Sequence, residues 1–195
     1  MTNLGRPAAH AASDPGPPET HQRAPETVRY LVWSWWLIVA GEILHQVLSV
    51  AIVVADPSAL RAAAKETLAG AQAAEGAEVS QAMLDLAVYA SAGFSALVGI
   101  VIQGILLWCT MMVAKRHRWS AGSRRMLLFF SIYLVIRALA VFGLGAGASA
   151  APLWLIGVDG ALQVVTGVAA GVALAFVARK ETVAWTDRPI DDGYR

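Results

Sequence analysis

Glu42 and His45 stand in the middle of a long apolar run, RYLVWSWWLIVAGEILHQVLSVAIVVA, from Arg29 to Ala55. The Glu-x-x-His spacing puts both side chains on one helical face, the arrangement by which carboxylate bundles hold metal pairs. Those bundles need two such steps and further acids. This chain has one, so the sequence predicts no metal site and no cofactor. His45 is also the only histidine inside an apolar run, which removes paired-histidine haem ligation within one chain.

A later apolar run carries the opposite charge, Arg137. Depth along each run follows from counting at about 1.5 Å per helical residue from the basic residue that flanks it. Glu42 lies 13 residues from Arg29, Arg137 12 from Arg125, Gln103 12 from Lys115 and Thr166 13 from Arg179. All four fall roughly 18–20 Å in, with His45 about one turn beyond Glu42 and Gln46 beside it. The sequence therefore predicts one buried polar layer of Glu42, His45, Gln103, Arg137 and Thr166. An ionised side chain alone at the centre of a bilayer costs about 2.5–3.5 kcal/mol. Contact between Glu42 and Arg137 removes much of that cost, and Gln103 or His45 is expected to supply the guanidinium with further hydrogen bonds. Asp159 is 20 residues from Arg179, so roughly 30 Å up and near the far interface. With Gln163 it forms a secondary polar stripe.

Two uses of such a layer are expected. It is either a lock that fixes helix register or a path for a proton, ion or small substrate. Nothing points to catalysis: the chain has no phosphate-cradling glycine loop with its lysine, no Gly-x-Ser-x-Gly elbow and no His-Glu-x-x-His. The single cysteine, Cys109, excludes an internal disulfide, a Cys-x-x-Cys redox pair and an all-cysteine metal site.

The elements that position these residues are apolar runs separated by charge. Of the 195 residues, 57% are hydrophobic and 15% charged, against about 25% charged in soluble domains. Mean hydropathy is +0.55. The net charge of +1 gives no reason to expect nucleic acid. Spans are predicted at about 30–55, 86–114, 126–148 and 153–178, each long enough to cross a hydrocarbon core. The expected fold is all-α, an integral membrane four-helix bundle over residues 29–180 with an amphipathic helical extracytoplasmic loop. Leu60, Ala64, Leu68 and Ala71 give that loop its helical periodicity, and Gly70 and Gly76 are expected to break it.

Residues 1–28, with five prolines and few large apolar side chains, are predicted to be a disordered cytoplasmic tail, and 181–195 a mobile cytoplasmic one. The apolar run starts too late and runs too long for a secretory signal peptide. Lys115, Arg116, Arg118, Arg124 and Arg125 fill one short loop without an acid, so that loop and both termini are expected inside. The 56–85 stretch carries two bases against five acids and is expected outside. Tyr30, Trp33, Trp35 and Trp36 read as an interfacial belt at the inner end.

Small residues recur every fourth position in Ser91-Ser95-Gly99 and Gly167-Gly171-Ala175, and Gly143 with Gly147 makes a Gly-x-x-x-Gly step. Such stripes let helix backbones approach closely, within the chain, in self-association or against other membrane subunits. The Ala- and Gly-rich composition with Arg favoured over Lys suggests a GC-rich bacterium. Together these observations lead to a non-enzymatic bacterial plasma-membrane protein, an accessory or scaffold subunit whose partners are the lipid bilayer and other membrane helices. The alternative is a small transporter or channel using Glu42, His45, Gln103 and Arg137 as its polar path.

Overall fold

A computed structural model describes residues 23–75, 80–144 and 152–187, and these are helical with short connections. The helices are α1 (Glu26–Ala55), α2 (Ser58–Glu75), α3 (Gln81–Ala114), α4 (Ser120–Leu144), α5 (Leu153–Val177) and α6 (Lys180–Asp187). Prolines stand just before three of them, where their missing N–H costs nothing. Pro25 and Pro152 cap α1 and α5, and the Pro57 carbonyl accepts from Arg61 N at 2.9 Å to open α2. Ser80 caps α3, its hydroxyl accepting from Met83 N at 3.3 Å.

The turn from α3 to α4 closes as a double-bonded C-cap. His117 N donates to Met112 O at 3.1 Å and Arg116 N to Val113 O at 3.3 Å. The left-handed position in that motif usually belongs to glycine, and here Arg116 holds it at φ 55°. Its guanidinium lies 5.0 Å from the ring centre of Trp185, a cation–π contact that offsets the strain.

Among the described residues three helices, α1, α3 and α5, are long and apolar enough to cross a membrane. The fourth predicted crossing, 126–148, is helical as far as Leu144, and its remainder lies outside the described residues. So do residues 1–22 of the predicted N-terminal tail, Gly147 of the Gly-x-x-x-Gly step, Gly76, and residues 188–195.

Side by side, α1 packs on α3 and α5, and α4 packs on the same two helices. Helices α1 and α4 therefore face each other across the centre. The apolar core fills the end that holds the Arg-rich turn, with Leu31 and Trp35 of α1, Val113 of α3, Leu127 of α4, Val177 of α5 and Trp185 of α6. Close helix crossings sit above that core. At Gly167 an added Cβ would stand 2.1 Å from the Ala138 Cβ, so α4 and α5 meet there with no room to spare. Gly167→Ala is expected to cost about 1–3 kcal/mol through overpacking. Pairing it with Ala138→Gly should restore much of the loss, which thermal unfolding in detergent would show.

Three features differ from expectation. Helix α2 runs through Gly70 to Glu75 instead of breaking, because one interior glycine costs only about 1 kcal/mol. It lies against α3, tied by Arg61 Nε donating to Asp85 Oδ1 at 2.7 Å. The predicted disordered tail gives way to helix at Glu26, since Pro25 supplies a start. The predicted mobile C-terminal tail instead begins with the docked helix α6. Trp185 is buried, and its indole N–H donates to Val113 O at 3.0 Å. Ser120 Oγ donates to Thr186 O at 2.8 Å, and Arg124 Nε to Thr186 Oγ1 at 3.0 Å.

Candidate functional site

Glu42 leaves α1 toward the centre and meets Arg137 from the opposite helix α4. Both guanidinium nitrogens engage the carboxylate: Nη1 donates to Oε2 at 2.8 Å and Nη2 to Oε1. The Glu42 side chain is 3% exposed and the Arg137 side chain 24%. The two-pronged geometry satisfies both carboxylate oxygens and holds both partners in one orientation. Only long side chains can make this contact, because α1 and α4 are not packing neighbours.

One helical turn further along, His45 reaches sideways to α5. Its Nδ1 donates to Asp159 Oδ1 at 2.6 Å, since a carboxylate can only accept. The other oxygen, Oδ2, accepts from Gln163 Nε2 at 2.9 Å, within α5. Helix α1 thus carries two polar groups three residues apart that tie it to two different helices. The first tie crosses the interior, and the second runs along its edge.

The close crossings make these ties reachable. Beside Glu42, Gly41 presses on α5, where an added Cβ would stand 2.6 Å from Thr166 Oγ1. Beside Arg137, Ala138 meets Gly167, the neighbour of Thr166. Gly99 of α3 receives the Gln46 amide, which would clash with any Cβ there. Gly41, Ala138 and Gly167 therefore let the helices come together where the charges meet. The predicted stripes contained Gly99 and Gly167. Gly41 was hidden, because a single glycine in an apolar run does not reveal which helix it faces.

Several predicted partners take other roles. His45 was expected to support Arg137 and binds Asp159 instead. Counting along axes treats helices as parallel and side chains as having no length, so it set these two levels about 6 Å apart. Helix tilt and the reach of the imidazole close that gap. Thr166 is buried beside Gly41, but its hydroxyl donates to Leu162 O at 2.9 Å in its own helix and stays out of the ion pair. Gln103 is buried at 7% exposure, yet its carbonyl oxygen finds no hydrogen-bond partner among the described residues. The buried Ser131 hydroxyl is likewise unpartnered among them. Such atoms cost about 1–3 kcal/mol each when dry.

Chemically, the layer holds its charges closed on one another. Among the described residues no group of three or more His, Cys, Asp or Glu side chains could hold a metal ion. The buried Cys109 thiol faces Met126 Sδ at 3.8 Å. Comparison of the chain with family models, with curated proteins and with solved structures finds no match.

Proposed function

We propose that this chain is a non-enzymatic, four-pass protein of a bacterial plasma membrane, with α4 as the fourth crossing. In this reading it serves as an accessory or scaffold subunit of a larger membrane complex. The carrying observation is that the interior polar groups are engaged with each other: Glu42 with Arg137 as an ion pair and His45 with Asp159 through a hydrogen bond. A helix set fastened in this way is built to hold a shape rather than to release or accept a charge. The segment after Arg125 contains one charge as far as Leu144, and Glu42 neutralises it, so α4 meets the energetic condition for insertion. The Arg-rich turn and the acidic 56–85 stretch support an orientation with both termini in the cytoplasm.

Mild-detergent extraction of the full chain expressed at native level, followed by native mass spectrometry, tests the role. The accessory reading expects a complex of fixed stoichiometry that contains another membrane protein. Recovery of the chain alone would contradict it.

The transporter or channel reading draws on one further observation, the buried Gln103 carbonyl, which has no hydrogen-bond partner among the described residues. A buried acceptor in an apolar setting is a place for water or a passing donor. In that case a folded Glu42→Gln/Arg137→Gln variant would fail to move substrate, whereas a scaffold would keep its partners.

A further inference from the structure

Past the ion pairs, on the side away from the Arg-rich turn, a cavity of about 330 Å³ opens between α1, α2 and α3. One part of its wall is polar: Gln46 and Ser49 from α1, Ser91 and Ser95 from α3. The rest is apolar, with Val50 and Val53 from α1 and Leu60 from α2. Leu60 brings α2 over the cavity as a cover, and the neighbouring Arg61 is engaged with Asp85. We propose that this cavity binds the headgroup of a neutral, hydroxyl-bearing lipid from the leaflet opposite the Arg-rich turn.

Three observations select that ligand class. The first is the lining chemistry. Among the described residues, every polar group there is an uncharged amide or hydroxyl, and no Asp, Glu, Lys, Arg or His contributes to the wall. A charged headgroup would find no counter-ion, whereas hydroxyl or ester oxygens would find donors and acceptors. Ser91 donates to Val88 O at 2.9 Å and keeps its acceptor capacity. Gln46, Ser49 and Ser95 make no side-chain hydrogen bond among the described residues, so their capacity is open.

The second is the amide's placement. Gln46 lies against Gly99, where a Cβ would come within 2.3 Å of its Nε2. The missing side chain at Gly99 is what allows the amide to stand at the cavity wall.

The third is depth. Gln46 to Val53 lie 17–24 residues beyond Arg29, and Ser91 to Ala96 lie 19–24 before Lys115. Both intervals correspond to roughly 26–36 Å, the far side of a hydrocarbon core about 30 Å thick. The cavity is therefore at headgroup level, and its volume equals roughly ten waters. That accommodates a small headgroup and the first carbons of a chain, the remainder running out between the helices. This inference rests on the membrane setting but not on the accessory role.

The test uses the full chain in phosphatidylcholine nanodiscs with a diazirine-bearing monoacylglycerol as probe. Photolabelling should saturate, map to residues 46–53 or 91–96, and be displaced by unlabelled monoacylglycerol. A fatty acid and an alkyltrimethylammonium of equal length should displace it at least tenfold less well. Ser95→Trp, at an exposed position, fills the cavity, and Gln46→Leu removes the amide. Each should cut labelling at least tenfold without changing the unfolding temperature. Should Gln46→Leu fail to fold, Ser95→Trp decides alone. Labelling that does not saturate, maps elsewhere, is displaced equally by the charged amphiphiles, or persists in the folded Ser95→Trp chain would overturn the proposal. A chain that washes off membranes at alkaline pH would instead remove the membrane setting itself.

Discussion

Glu42→Gln should be among the most damaging single changes in this protein, lowering stability by about 3–5 kcal/mol. The substitution keeps the shape of the side chain and removes only its charge. Arg137 is then left in the interior with a neutral amide in place of its carboxylate. A guanidinium cannot shed its proton to escape this, because it stays charged at any pH a protein survives. The Arg137 side chain, 24% exposed, has partial access to its surroundings, which places the loss toward the lower end of the range. For a chain of this size the unfolding temperature should fall by roughly 6–15 °C. A shift under about 2 °C would mean that the pair carries little of the fold's stability. His45→Ala should cost less, since it breaks a tie between neighbouring helices α1 and α5 and leaves Asp159 its bond from Gln163.

The second large effect is expected at the other end of the molecule. Trp185→Ala should cost about 3–5 kcal/mol, the usual loss for a buried tryptophan. The indole sits in the core with Leu31 and Val177, and its N–H satisfies a carbonyl in the last turn of α3. The last four carbonyls of a helix lack α-helical partners; Val113 O accepts from Arg116 N in the C-cap and from the indole as its second donor. Arg116 covers the outer face of the ring. Losing the ring also removes the reason for an arginine at positive φ. Limited proteolysis reads the outcome directly: α6 should become cleavable in Trp185→Ala and stay protected in Trp185→Phe, which keeps most of the apolar area. Equal protection in wild type and Trp185→Ala would show that the hydroxyl and backbone bonds at Thr186 hold α6 unaided.

The helical architecture was legible because apolar runs longer than twenty residues, broken by Pro and charge, leave few alternatives. The Glu42–Arg137 contact was legible for a related reason. A helix rises by a fixed amount per residue, and each run has a basic residue marking one end. That arithmetic put Glu42 level with Arg137, and the two are in contact. It failed for His45 and Asp159, where tilt and side-chain reach outweigh a four-residue offset. It also could not assign Gln103 or Thr166 their partners, because rotation about the helix axis decides which way an amide or hydroxyl points, and counting gives only height. Helix α6 was hidden in a polar tail. The stripe Thr182, Trp185 and Thr186 is its one sequence signal, and an eight-residue helix forms there only because a core is ready to receive it.

The close crossings were half legible. Gly99 and Gly167 stood on small-residue stripes, but a stripe does not say which neighbour it admits. Gly167 admits Ala138, and that contact sets the spacing of α4 and α5 beside Arg137. Packing and electrostatics are thus coupled: the helices must be close for the ion pair to form, and the ion pair in turn fastens α1 to α4 across the interior.

A double-mutant cycle on Glu42→Gln and Arg137→Gln, read by reversible unfolding in a mild detergent, addresses that coupling most directly. If the two side chains hold α1 to α4 across the interior, the double variant will be more stable than the sum of the single losses predicts, by about 2 kcal/mol or more. Losses that simply add would contradict the account, because they would mean that each charge is accommodated without the other.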